Sequence, residues 1–147
     1  MKKTIIGLLL FLVACSSADK GTVICKIEYE EDFKINRSIA LAYTGNAINQ
    51  VESIDEIFFD DNFTKEMYAE LKEDLEEKYA SSKLLTYSIE ELDESIVITS
   101  RVLDYFKATI SELSFVGIEL GDAEYGPGLK ETKLINENNG YSCEVVE

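Results

Sequence analysis

Histidine does not occur anywhere in the 147 residues of this chain, and cysteine occurs three times, as Cys15, Cys25 and Cys143. Without histidine the chain cannot build a Ser-His or Cys-His nucleophile pair or any histidine-containing metal site. Three scattered cysteines are too few for a zinc site made of cysteine alone. The sequence therefore predicts no catalytic, cofactor-binding or metal-binding residues of these common kinds.

Basic residues are also scarce, since 14 Lys and Arg stand against 29 Asp and Glu, for a formal net charge of −15. Such a surface repels phosphate backbones, so a nucleic-acid partner is not expected. With 46% hydrophobic residues the chain has the composition of a folded protein, and its length suits one domain. The acidity indicates a soluble, self-avoiding surface, or alternatively an attraction to cations or a basic partner.

The chain has no apolar run long enough to span a bilayer at its start. Residues 4–14 are apolar apart from Thr4 and follow Lys2 and Lys3, whereas a membrane span needs about 20 such residues. A basic start, a short apolar core and small residues at its end are typical of a secretory signal peptide. A core helix of the domain would show a polar face, and this run has none. Residues 1–14 are therefore predicted to be a cleaved signal peptide.

The end of this run, Leu12-Val13-Ala14-Cys15, resembles the lipobox of bacterial lipoproteins. The resemblance implies cleavage before Cys15 and attachment of a diacylglyceryl group to its sulfur. Residues 15–21 would then be a lipidated N-terminus and a polar tether, and two or more acyl chains would anchor the protein firmly to a membrane. The predicted location is the outer side of the cell membrane, or the outer membrane if the host has two membranes, since Ser16 follows the cysteine.

The domain itself is predicted to occupy residues 22–147 and to begin with a three-stranded meander. The first strand, TVICKIEY, alternates apolar and polar residues. The second, FKINRSIALAY, ends at Gly45-Asn46, which supplies the turn chemistry of a hairpin. The third, AINQVESIDEIFF, spaces Ile48, Ile54 and Phe58 with polar residues between them. This pattern indicates a long strand with one exposed face.

A long amphipathic helix of about 18 residues is predicted next, in FTKEMYAELKEDLEEKYASS. Its apolar residues recur at four-residue spacing, and they are Phe63, Met67, Leu71 and Leu75, with Tyr68 and Tyr79 beside them. One of the preceding residues Asp60, Asp61 and Asn62 is expected to cap the helix. A cation site in the same three residues is the alternative.

The remaining elements complete an α+β fold. KLLTYSIEEL and SIVITSRVLDYF predict a second hairpin, followed by a short helical or irregular segment. Pro127 suits the first turn of a short helix that ends at about Asn136, and YSCEVV is a terminal strand or extended tail. The predicted fold is an antiparallel sheet, made of the meander and the later hairpin, packed against one long amphipathic helix and a short C-terminal helix.

Two cysteines remain once Cys15 is assigned to the lipid. An even number of cysteines outside the cytosol favours a disulfide, and Cys25 and Cys143 lie on the first and last predicted strands. The prediction is a bridge that ties the two ends of the domain together. Two buried free thiols are the alternative.

Four segments carry a resemblance to a known family. CKIEYE, ALAYTGNAI, EDLEEKY and GYSCEVV, together with the lipobox, resemble the YehR-like lipoproteins of bacteria over residues 22–146. The resemblance implies a small extracytoplasmic lipoprotein of α+β build without an established biochemical activity.

The main functional hypothesis is a non-enzymatic, lipid-anchored binding or interaction module at the cell envelope. It is motivated by the lipobox and by the lack of a nucleophile-base pair. Its partner would be an envelope protein or a small ligand. The alternatives are an enzyme that acts on envelope carbohydrate through two carboxylates, which would have to converge in one cleft, and a cation-dependent binding module.

Overall fold

A computed structural model of the chain describes residues 18–30, 32–120 and 126–146. Cys15 and the predicted signal peptide lie outside these residues. The elements follow the order β1 (Lys20–Tyr29), β2 (Ile35–Thr44), β3 (Ala47–Phe58), α1 (Lys65–Ala80), β4 (Leu85–Glu91), β5 (Ser95–Val102), α2 (Ile110–Phe115), α3 (Leu129–Asn138) and β6 (Ser142–Val146). The predicted α+β class, with its meander and later hairpin, is confirmed. β1 begins at Lys20, inside the segment predicted as the tether.

The six strands form one antiparallel sheet in the order β4-β5-β3-β2-β1-β6. The first and last strands of the chain are therefore neighbours. The connection from β3 to β5 passes through α1 and β4, which places the later hairpin beside the meander. YSCEVV, predicted as a strand or a tail, pairs with β1 over five residues, from Ser142 to Val146.

An irregularity in β3 changes which of its residues face inward. Ala42 pairs with Gln50 and Tyr43 pairs with Ile48, so Asn49 is an extra residue that bulges from the ladder. One inserted residue reverses the alternation of the side chains. β3 is the predicted long strand, but Ile48 and Ile54 lie on opposite faces of it. Ile54 is 37% exposed, and residues of the opposite phase face the core.

The helices pack against one face of the sheet, which we call the covered face. Its inward residues form the core with Tyr79 of α1 and Leu113 of α2, and they include Val23, Cys25, Ile39, Leu41, Val51 and Ile57. A smaller cluster lies under the start of α1 and contains Ile57, Phe63, Tyr68, Ile96 and Ile98. The opposite face, which we call the open face, presents half-buried or exposed residues that include Thr22, Ile24, Ala40, Ala42, Glu52 and Ile54.

The start of α1 differs from the prediction. Thr64, not one of the three preceding residues, is the N-cap and accepts a hydrogen bond from the Met67 N–H at 3.4 Å. Asp60 instead stabilises the loop before the helix. Its carboxylate accepts hydrogen bonds from the N–H groups of Asn62 at 2.7 Å and Phe63 at 2.8 Å. A side chain already bonded to the loop is not available to the helix end, so Thr64 fills that role.

The buried side of α1 agrees with the predicted one except at Met67. Tyr68 and Tyr79 are buried, whereas Met67 is 46% exposed. Leu71 and Leu75 are half-buried beside the tyrosines. The rings of Tyr68 and Tyr79 fill the space over the sheet, and Met67 lies at the exposed margin of the helix.

The C-terminal helix begins two residues after Pro127. Gly128 is its N-cap and the helix extends from Leu129 to Asn138. The prediction that Pro127 lies in the first turn was therefore wrong. The Pro127 carbonyl accepts a hydrogen bond from the Tyr105 hydroxyl at 2.8 Å, and this contact anchors the loop before the helix.

Candidate functional site

The structure joins the predicted cysteine pair in a disulfide. Cys25 and Cys143 are directly opposite each other in the β1–β6 ladder, 118 residues apart in sequence. Cys25 is fully buried, so the bridge lies on the covered face and holds the edge strand to the body of the sheet. The third predicted site residue, Cys15, lies outside the described residues.

The covered face contains a charged pair that the sequence analysis did not predict. The guanidinium of Arg37 on β2 donates two hydrogen bonds to Asp55 on β3, from Nε to Oδ1 at 2.6 Å and from Nη2 to Oδ2 at 2.9 Å. Their side chains are 30% and 18% exposed. The bond to Asp55 raises the pKa of Arg37 above its ordinary value, against the opposing effect of burial. The arginine is therefore permanently charged and fixed in a fork geometry.

Tyrosine hydroxyls surround this pair. Tyr29 donates a hydrogen bond to Tyr141 at 3.1 Å, and Tyr141 in turn interacts with Arg37. Burial is the main cause that raises the pKa of Tyr141 to about 12. Burial also raises the pKa of Tyr79, whose hydroxyl shares a short hydrogen bond with Ser100. The raised pKa keeps the hydroxyls of Tyr79 and Tyr141 neutral at physiological pH, so neither can act there as an ionised base or nucleophile.

The open face contains a shallow cleft of about 320 Å³. Small side chains at Ala40 and Ala42 form its floor, and Glu52 and Arg101 stand at its side. Arg101 donates from Nε to Glu52 at 2.8 Å across the β3–β5 ladder. The remaining lining residues are Thr22, Gln50, Val51 and Leu103. The cleft can accept a small group or a flat surface, but its charged side chains are already paired with each other.

The half-buried carboxylates of β3 are bonded to separate partners. Glu56 accepts from Ser95 at 3.2 Å and Asn36 at 3.4 Å, whereas Glu52 is bonded to Arg101. The two glutamates are four positions apart on one face of the strand, so their Cα atoms lie about 13 Å apart. A glycosidase pair flanks one bond with its carboxyl groups about 5 to 9.5 Å apart. Glu52 and Glu56 therefore do not form that arrangement.

Asp60, Asp61 and Asn62 are the residues of the alternative cation site. Asp60 accepts two backbone hydrogen bonds, as described above. Within residues 18–30, 32–120 and 126–146, no three Cys, Asp or Glu side chains converge as a metal ion would require. In the same part of the chain no helix is long and apolar enough to cross a membrane.

The sequence contained a usable signal for the buried pair. Arg37 occupies an inward position of β2, in phase with the apolar Ile35, Ile39 and Leu41. A charged residue in the apolar phase of a strand needs a partner. Asp55 could not have been assigned as that partner from sequence, because the bulge at Asn49 sets its phase and its pairing with Arg37.

These features define an α+β protein in which one antiparallel sheet carries its helices on one face and a disulfide between its first and last strands. Among solved structures, the NMR structure of the Escherichia coli YehR protein is similar, with a TM-score of 0.67 and 18% identity over 88% of this chain and 94% of that chain. The NMR structure of a protein from Streptococcus pneumoniae TIGR4 is also similar, with a TM-score of 0.53 and 11% identity over 98% and 96% of the two chains. No family model and no curated protein matches the chain. At these identities the likeness is one of fold, and it agrees with the YehR-like fold that the sequence resemblance implied.

Proposed function

We propose that this chain is a bacterial lipoprotein and that its domain is a non-catalytic binding module on the extracytoplasmic side of a membrane. The observation that carries the proposal is Leu12-Val13-Ala14-Cys15 after a basic start and a short apolar run. In this proposal residues 1–14 are removed and Cys15 carries the lipid.

The cysteine arrangement supports the location. Cys25 and Cys143 form a disulfide, and stable disulfides are typical of oxidising compartments outside the cytosol. Each of the three cysteines then has one role, with Cys15 bound to lipid and the other two bound to each other. In this proposal no free thiol is left in the mature protein.

The chemistry of the covered face supports a binding role over a catalytic one. The side chains of Arg37 and Asp55 bond each other, and Tyr141 stays neutral because burial raises its pKa to about 12. These side chains bond within the domain, since Arg37 and Asp55 join β2 to β3 and Tyr141 accepts from Tyr29 of β1. A binding role requires only the exposed surface of the domain and does not require these side chains to react.

Lipidation is tested by growing a bacterium that expresses the chain with a fatty acid that carries a chemical tag. The wild-type protein is expected to take up the tag and to sediment with membranes, and Cys15→Ser is expected to do neither. A Cys25→Ser/Cys143→Ser variant is the matched control, because it loses two cysteines and keeps Cys15. Label retained by Cys15→Ser, or absent from the wild type, contradicts the proposal.

The binding role is tested separately by capturing the protein from gently solubilised membranes. Recovery of the same partner protein or ligand in repeated experiments is expected. Recovery of the bare domain alone in every repeat counts against a binding module, whatever the outcome of the lipid labelling.

A further inference from the structure

One end of the sheet gathers the residues that follow the proposed lipid site, and we call it the tether end. The Gly45 N–H donates to the Asp19 carbonyl at 2.7 Å, and the Tyr105 N–H donates to the Asn49 carbonyl at 3.0 Å. The start of β1, the β2–β3 turn, the segment after β5 and the start of α3 therefore meet there. Its described residues are 18–22, 44–50, 103–107 and 126–131.

Two large apolar side chains are exposed at the tether end. Phe106 is 73% exposed, the highest value among the exposed large hydrophobic residues of the described chain, and Leu103 is 45% exposed. Leu103 lines the same cleft as Thr22, a residue near the start of β1. Phe106 contacts the ring of Tyr105 edge-on, with 6.3 Å between centroids. Transfer of such a ring from water into an apolar environment is favourable.

The length of the tether limits how far this end can lie from the lipid. In the proposed mature chain only Cys15, Ser16 and Ser17 precede Ala18, the first described residue. At about 3.4 Å per extended residue the chain can bridge no more than about 10 Å. If Cys15 carries a lipid, the tether end must stay within about that distance of the membrane surface.

The charge of the tether end does not oppose this approach. Its described residues carry Lys20, Lys107 and Lys130 against Asp19, Asp104 and Glu131, which gives a formal balance of zero within a chain of net charge −15. Asp122 and Glu124 fall outside the described residues. Lys107 reaches Asp104 at 2.8 Å beside Phe106, so the phenyl ring is flanked by a neutralised pair.

We propose that the tether end docks on the lipid bilayer and that Phe106, with Leu103 beside it, inserts into the interface between head groups and acyl chains. The inference rests on the proposed function, because it needs the lipid on Cys15. The anchor brings the domain to the membrane, and the phenyl ring fixes its orientation. In this orientation the β4–β5 turn, which contains Leu92, points away from the membrane surface.

The chain contains no tryptophan, so one introduced indole reports a single position. Phe106→Trp places it at the tether end, and Leu92→Trp places the matched control at the opposite end. Leu92 is 43% exposed and lies beside the far end of β3, about 30 Å from Asn49 at 3.3 Å per strand residue. The lipidated full chain of each variant is reconstituted into vesicles of phosphatidylethanolamine and phosphatidylglycerol, with or without brominated acyl chains. Formation of the disulfide, checked without reductant, shows that each variant has folded.

For Phe106→Trp the expected result is a blue-shifted indole emission that brominated lipid quenches. For Leu92→Trp the emission is expected to stay solvent-like and unquenched. The quenching in the Phe106→Trp variant should persist in about 1 M salt, where charge attraction is screened beyond about 3 Å.

Three other outcomes would overturn the docking, and they differ in what they leave standing. If both variants float with the vesicles and both emit as in water, docking is overturned while lipidation stands. If the Phe106→Trp emission shifts to the blue without quenching, a second copy of the protein covers the indole, and membrane docking is again overturned. If neither variant floats with the vesicles, the proposed function fails and the docking fails with it.

Discussion

Strand β3 carries one arginine–carboxylate pair on each of its faces, and the two pairs differ in their surroundings. Asp55 bonds Arg37 on the covered face, where the side chains are 18% and 30% exposed, whereas Glu52 bonds Arg101 on the open face, where they are 29% and 50% exposed. The chemistry and the cross-strand geometry are alike. The covered pair lies among buried tyrosines, and the open pair lies at the side of a cleft in contact with water. Burial, rather than the presence of an ion pair, is expected to decide what such a pair contributes to the fold.

The largest expected effect comes from reducing the disulfide that joins the edge strand β6 to β1 on the covered face. Reduction of the Cys25–Cys143 bridge releases a loop of 118 residues in the unfolded chain, which in the chain-entropy model costs about 4–5 kcal/mol of stability. Urea unfolding with and without reductant measures the difference. The Cys25→Ala/Cys143→Ala variant serves as the control, since its unfolding should not respond to reductant. An unchanged midpoint for the reduced wild type would show that the bridge does not stabilise this face.

The two arginine pairs can be compared directly by matched substitutions. Asp55→Asn leaves the half-buried Arg37 without its counter-charge and is expected to lower the free energy of unfolding by about 3 kcal/mol. Glu52→Gln removes the corresponding charge on the open face and is expected to cost less than about 1 kcal/mol. Chemical denaturation of both variants measures the difference. Equal losses would mean that the helices do not shield the covered pair as the structure indicates.

A third effect, smaller for each side chain than that of Asp55→Asn, concerns alkaline pH and the tyrosines of the covered side. Burial is the first cause that raises the pKa of Tyr105 and of Tyr141 to about 12, whereas an unfolded tyrosine ionises near a pH of about 10. Below about pH 10 the hydroxyls are neutral in both states, so their contribution is fully present. Between about pH 10 and 12 only the unfolded chain ionises, and the free energy of unfolding should fall by about 2 kcal/mol for each tyrosine.

Tyrosinate absorbance during an alkaline titration, followed together with circular dichroism, checks this expectation. Tyr141→Phe removes one of the two groups and should flatten part of the pH dependence. Stability that does not change between about pH 10 and 12 would contradict the raised pKa values.

Much of the fold follows from local sequence patterns. Alternation in TVICKIEY and the Gly45-Asn46 turn predicted the first two strands, and the cysteine count predicted the pairing of Cys25 with Cys143 that the structure contains. These predictions rest on the pattern of neighbouring residues or on a count of cysteines. They do not depend on how distant segments meet.

The remaining features depend on contacts that a linear pattern does not encode. The extra residue Asn49 shifts the phase of β3, and one residue is enough to exchange its faces. Thr64 caps α1 because the Asp60 carboxylate already bonds its own loop. The Arg37–Asp55 pair joins residues 18 apart and exists only once the ladder is in register.

The position of β1 has a mechanical consequence. This strand is where the chain enters the sheet, yet β2 and β6 flank it on both sides. A pull on the N-terminus would reach Lys20 first and would have to detach the strand from β2 and then from both neighbours. At Cys25 the peeling would stop, because a covalent bond joins the strand to β6. If the domain is held by Cys15, as proposed, this bond protects it against being unravelled from the end that bears the load.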